Sequence, residues 1–362
     1  MNICKLTYYS LYCILSAILV LSCGSKKTEP PTGKPEMPAF QYYKMSFSAV
    51  ENQNYQKALA LLDTAILLKP EVSQFYFAKG QIYELKGEKY SAISEYEAAL
   101  KYKSHFPDCW KKLAVLYAEY EQPAKAAQML RYLTDYQPDS LQYELLLADA
   151  YLADEKPLLA LERLNYFEKN GGVSDEALRI RGLTYFIQGN YREAIKYLDQ
   201  YVQMNPRNFQ AQKYLGIASI KSNSPEKGIS HLNQALRITP EDSEIYIYRA
   251  RYFLYMNKTE TAIEQYNLAL KIDDKNSLVL SEVSKFYLTR GDTIEAELLL
   301  KKAVKEDEAC WECYKYLGII ADSQNRSAEA YSYLQKYISN IYFRDIQVEK
   351  LLEKLEYLNM NK

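Results

Sequence analysis

The chain has 362 residues, beyond the roughly 250–300 at which a single core stops growing, so several domains or a repeat architecture is expected. Lysine plus arginine (45) offsets aspartate plus glutamate (46), and a net charge of −1 excludes a general nucleic-acid binder relying on excess basic charge. Twelve glycines and twelve prolines are few for a turn-dense all-β domain, and two histidines, His105 and His231, leave little for His-based catalysis or metal binding.

The first element is an address. Leu11 to Leu21 is an apolar run after Lys5. As a helix it would reach roughly 16 Å, about half of a bilayer core, so it reads as the apolar region of a signal peptide over residues 1–22. The run ends in Val20-Leu21-Ser22-Cys23-Gly24, which resembles the lipobox of bacterial lipoproteins. That resemblance implies that Cys23 is acylated, becomes the new N-terminus and holds the protein on a membrane. Gly24 after the cysteine then points to the outer membrane of a Gram-negative envelope. Residues 23–38, with four prolines and little to bury, are expected to be an extended, solvated tether.

From residue 39 to 344 the chain repeats with a step of 34 residues, nine times. Alanine recurs at 58, 92, 126, 160, 194, 262, 296 and 330, with Gly228 in the one gap. Twelve residues earlier stands another small residue, such as Gly80, Ala148, Gly182 or Gly318, and four residues later a bulky one, such as Leu62, Tyr96 or Leu198. Each repeat reads as two helices. In the second repeat Tyr76, Gly80 and Tyr83 share one face, Ala92, Tyr96 and Ala99 another, and Gly87 lies in the turn between them. Pro123, Pro157 and Pro225 stand where second helices begin; Pro70, Pro138, Pro206 and Pro240 follow second helices and stop them. Small residues at fixed places let two helices approach closely. Residues 345–362 read as one further amphipathic helix, striped by Val348, Leu351, Leu352, Leu355 and Leu358, that caps the stack.

The repeat pattern resembles the tetratricopeptide repeat. The resemblance implies an all-α solenoid, a right-handed superhelix of helix-turn-helix units, and it implies a protein-binding scaffold, not an enzyme. Lys79, Arg181 and Arg249 stand where the family carries an aliphatic; their long stems are expected to cover apolar surface with the charge in water. Leu133, Phe167 and Tyr201 replace an alanine of other repeats and are expected to hold second helices further apart, and Gly171-Gly172 replaces the usual stop after the fourth repeat.

In tetratricopeptide proteins the first helices line a concave surface. Transferred to this sequence, that surface carries Phe77, Lys111, Arg179, Lys213 and Lys315 on one ladder and Phe47, Val115, Leu183, Ile217, Arg251 and Lys285 one turn on. An apolar floor with interspersed cations suits a protein or peptide segment with some acidic character. The family's carboxylate-clamp asparagine is missing from the second ladder, so that activity is not carried over. The alternative to a general scaffold is a dedicated assembly factor for an outer-membrane, pilus, secretion or gliding complex; an enzyme with a degenerate site is the remote one.

No catalytic constellation, cofactor or metal site is expected: the sequence has no Gly-rich phosphate loop and no His-Glu-x-x-His, and its two histidines stand 126 residues apart. Cys310-Trp-Glu-Cys313 leaves three readings open: incidental or packing cysteines, a local disulfide, or redox catalysis. Cys109 sits at the same repeat place as Cys313, which favours packing. The 36 tyrosines scatter over both helices, so packing is preferred to a carbohydrate or cation cage.

Overall fold

The computed structural model describes residues 39–341 and 344–360. The expected signal peptide, Cys23 and the tether lie outside the described residues. Among the described residues every regular element is a helix, nineteen in all. They form two compact units, divided between Met204 and Asn205.

The first unit holds five helix pairs: α1 (Ala39–Glu51) with α2 (Tyr55–Leu68), α3 (Ser73–Leu85) with α4 (Lys89–Tyr102), α5 (Pro107–Glu119) with α6 (Pro123–Tyr136), α7 (Leu141–Ala153) with α8 (Pro157–Lys169), and α9 (Asp175–Ile187) with α10 (Tyr191–Met204). The second holds four pairs: α11 (Phe209–Lys221) with α12 (Pro225–Ile238), α13 (Ser243–Tyr255) with α14 (Thr259–Ile272), α15 (Ser277–Arg290) with α16 (Thr293–Glu306), and α17 (Trp311–Ser323) with α18 (Ser327–Ile338). A last helix, α19 (Ile346–Met360), follows them. Its Val348, Leu352 and Leu355 are buried in a cluster with Tyr314, Leu334 and Tyr337, whereas Leu358 of the expected stripe is exposed.

The small residues have a direct steric cause. A Cβ on Gly80 would stand 2.6 Å from the Tyr96 ring, and one on Gly182 2.6 Å from Leu198. Gly216 against Leu232 and Gly318 against Leu334 repeat the contact at the same spacing of sixteen residues. Gly228, the departure from alanine, is explained too: a Cβ there would come within 2.5 Å of Ile220 and 2.6 Å of the Gly216 carbonyl oxygen. One methyl group is already too many at these crossings.

The turn inside each pair is one device used nine times. Residues 53, 87, 121, 155, 189, 223, 257, 291 and 325 all have φ between 53° and 82°. In the second repeat Gly87 N–H donates to Glu84 C=O (2.9 Å) and Glu88 N–H to Tyr83 C=O (2.8 Å), the Schellman arrangement, and the other eight pairs reproduce it. Three of the nine positions are glycine and three asparagine, but Gln53, Glu121 and Glu155 hold the same left-handed backbone at a cost of about 1–2 kcal/mol.

The fourth repeat ends differently. Its α8 closes with a Schellman bond pair of its own, with Gly171 at φ 86° and Gly172 N–H on Phe167 C=O at 2.9 Å. The Phe167 ring lies where a Cβ of Gly172 would be, 2.6 Å away, so the bulky residue and the glycine pair form one arrangement. Tyr201, also bulky, is buried and donates its hydroxyl to Glu176 at 2.9 Å.

Two expectations are corrected by the packing. Lys79 and Arg181 do not keep their charges in water. Lys79 meets Asp63 (2.9 Å) and Glu95 (2.8 Å); Arg181 meets Glu168 (2.9 Å) and Asn165 (3.1 Å). Burial would penalise a lone charge, and an adjacent acid removes most of that penalty. Cys310 and Cys313 form a disulfide at the start of α17, so the packing reading holds only for Cys109, whose thiol is buried and donates to the Tyr96 carbonyl at 3.2 Å. Burial pushes that thiol up to about 12, so it stays protonated and unreactive at neutral pH.

Candidate binding surface on the first helices

The first helices place the predicted ladder residues in three different settings. Phe47 on α1 is exposed (44%) and borders a hollow of about 380 Å³. The hollow is walled by Phe47 and Val50 of α1, Gln81, Ile82 and Leu85 of α3, and Lys112 of α5. Its rim is fixed by Glu84, which accepts from the Tyr96 hydroxyl (2.5 Å) and pairs with Lys112 (2.8 Å). Burial first, and then the charge and hydrogen bond of Glu84, raise the Tyr96 pKa well above its ordinary value, so this hydroxyl is a permanent donor. Phe77 is half-buried, its ring against Tyr96 (5.3 Å) and Phe106 (4.8 Å), and does not border the hollow. Lys111 is half-buried, 3.6 Å from Asp108.

Val115, Arg179, Leu183, Lys213 and Ile217 are buried, which corrects their assignment to an accessible floor. Arg179 is 1% exposed; its guanidinium donates to Asp149 on α7 (2.8 Å) and to Glu176 on its own helix. Burial works against its charge, but Asp149 and Glu176 outweigh it and hold the pKa above the ordinary arginine value. Lys213 behaves alike: burial opposes the charge, while Glu244 (2.9 Å) and Asp242 (2.7 Å) raise its pKa.

The remaining cations are not free either. Arg251 pairs with Glu282, Lys285 with Glu282 (3.2 Å) and Glu312 (2.7 Å), and Lys315 with Asp345 (2.7 Å). In the second unit, therefore, Lys213, Arg251, Lys285 and Lys315 each reach an acid at the next helix pair or the last helix. The cationic character expected of the groove is spent on holding neighbours together. Sequence reasoning missed these acids, although a signal existed: an aspartate or glutamate stands 27 to 31 residues after each of the four cations.

A second hollow, about 640 Å³, lies among His105, Trp110, Tyr132 and Tyr136. Here the rings pack on one another, with His105–Trp110 centroids 5.1 Å and Trp110–Tyr132 centroids 5.2 Å apart, so they are not spread as a cage around a cation would be. Among the described residues no group of three or more His, Cys, Asp or Glu could hold a metal ion, and no helix is long and apolar enough to cross a membrane.

Comparison with known proteins agrees with this geometry. Tetratricopeptide-repeat family models match residues 43–108, 145–208 and 185–252. A TPR repeat-containing protein of Methanocaldococcus jannaschii is 26% identical over 190 residues, or 50% of this chain; the match spans only 33% of that relative's length. Among solved structures, the APC/C hetero-tetramer Cut9-Hcn1 aligns over 98% of this chain and 81% of its own at 12% identity, with a TM-score of 0.52. A tetratricopeptide repeat protein from Parabacteroides merdae aligns over 67% of this chain and 96% of its own at 15% identity, with a TM-score of 0.49. At 12% identity the likeness to Cut9-Hcn1 speaks for the fold alone. Helix pairs at a 34-residue step, glycine-to-leucine crossings and the matching repeat models make this chain an all-α solenoid of tetratricopeptide repeats.

Proposed function

We propose that the protein is a lipid-anchored scaffold of the cell envelope, held through acylated Cys23, that binds a protein or peptide partner on its first-helix face. The observation that carries the binding half is the hollow beside Phe47. There an aromatic side chain is left exposed next to apolar walls and a fixed polar rim, the composition from which binding anchors are built. Because the cations of this face are paired internally, the preferred occupant is an apolar or amphipathic segment, with Lys112 and Glu84 orienting its polar groups. The lipobox resemblance supports the anchoring half.

A photo-crosslinking amino acid at position 47 of the full-length protein in intact envelopes tests the binding half. It should give discrete partner adducts that are absent when the probe is at Val173, an exposed turn residue away from the hollow. Identical adducts from both positions would refute the site. Cys23→Ser should release the protein from the membrane fraction or leave uncleaved precursor; unchanged processing and fractionation would refute the anchor.

A further inference from the structure

We propose that Arg249 receives a carboxylate from a partner protein, on the face of the second unit formed by α12, α13 and α14. One repeat position varies along the chain in a way that sets Arg249 apart. Most repeats fill it with a buried aliphatic, as at Leu113, Leu147, Leu215 and Leu317. Three repeats put a cation there, and two of those are answered within the chain: Lys79 by Asp63 and Glu95, Arg181 by Glu168 and Asn165.

Five repeats after Lys79, the places of Asp63 and Glu95 are taken by Asn233 and Gln265. Arg249 keeps the cation and has lost both acids. Among the described residues no carboxylate lies within pairing distance of it; its buried Nε has no acceptor, and its guanidinium stands 5.7 Å from the Tyr246 ring centre. Gln265 is buried and its Oε1 has no donor. Burial lowers the Arg249 pKa, as expected of a partly desolvated guanidinium that no anion answers.

Two orphaned polar groups thus stand at register positions that hold an ion pair elsewhere in the same molecule. A carboxylate is favoured over a tetrahedral anion as the occupant, because in the second repeat carboxylates already fill the corresponding places. A planar carboxylate accepts two parallel N–H bonds from a guanidinium, and the Gln265 amide, turned over, adds a third donor. The surface is distinct from the hollow beside Phe47, and the inference does not depend on it.

The test is fluorescence anisotropy of the full chain with a labelled, end-blocked tetraglutamate peptide. Two variants accompany the wild type: Arg249→Leu, which restores the aliphatic of other repeats, and Gln265→Glu, which supplies the internal acid that Glu95 supplies to Lys79. Each should weaken peptide binding about tenfold, the scale of one lost charge-assisted pair, while the urea midpoint stays level or rises. Wild-type affinity in either variant would overturn the proposal. So would displacement of the peptide by inorganic phosphate at equal concentration, which would leave a general anion site in place of a carboxylate site.

Discussion

Phe47 and Leu183 occupy the same place in their repeats, four repeats apart, yet one is 44% exposed and the other 1%. Around Phe47 the first-helix face opens into the hollow between α1, α3 and α5. Around Leu183 it is shut. On α7, ten of thirteen residues are buried, among them Leu145, Leu146, Leu147 and Asp149. Among the described residues of the first unit α1 has helix pairs on one side only, whereas α7 has them on both. Asp149 and Arg179 then tie α7 to α9 across the closed stretch. Repeat register dictates which way a side chain points; the neighbours dictate whether water reaches it.

The largest effect should come from breaking the closed stretch. Arg179→Ala removes the guanidinium that answers the buried Asp149 and should cost about 3–5 kcal/mol, read from urea unfolding, with loss of hydrogen-exchange protection centred on α7 to α10. Replacing both partners, Arg179→Met with Asp149→Leu, should recover most of it. Lys111→Ala, at a looser and more exposed pair, should cost under about 1 kcal/mol. Equal costs for the two single variants would erase the contrast.

Gly182→Ala probes steric closeness in the same stretch. The new Cβ would meet the buried Leu198 side chain at 2.6 Å and its backbone nitrogen at 3.1 Å, so about 1–3 kcal/mol should be lost. A neutral result would show that α9 and α10 have room to part.

Glu155→Gly, in the turn between α7 and α8, should stabilise by about 1 kcal/mol, because φ 53° strains any residue with a Cβ. Gln53→Gly does the same for the open end. A loss of stability in either would mean that the glutamate or glutamine side chain contributes more than the strain removes.

The smallest effect concerns a partly exposed pair of the second unit. The Lys315 ammonium, hydrogen-bonded to Asp345, holds that carboxyl below its ordinary value of 3.8. A depressed carboxylate stabilises above its unfolded pKa and loses that contribution as pH falls through the folded one. Exchange protection of α19 should therefore weaken below roughly pH 4, and Asp345→Asn should remove the pH dependence. A pH-dependent α19 in Asp345→Asn would assign the effect to other carboxyls.

Much of the fold is legible in the sequence because close helix crossings demand small residues, and a 34-residue step makes that demand visible nine times. The turn device is legible where glycine or asparagine stands, as at Gly87; at Gln53, Glu121 and Glu155 the repeat geometry imposes a backbone that the residue itself resists, so composition hides it. The candidate site was less legible. The shared place of these residues on the first helices follows from register, but the burial of Arg179 and Lys213 goes with acids in other repeats. Those side chains meet only after the repeats stack. The disulfide of Cys310 and Cys313 was one of three open readings, because spacing alone does not distinguish a bond from two packed thiols.

The most direct test of the contrast between open and closed stretches is hydroxyl-radical footprinting of the native full chain, resolved to single side chains. The account predicts fast modification of Phe47 and strong protection of Leu183 and Phe186, with protection of Phe47 appearing only when a partner is bound. Comparable rates at Phe47 and Leu183 in the free protein would contradict it.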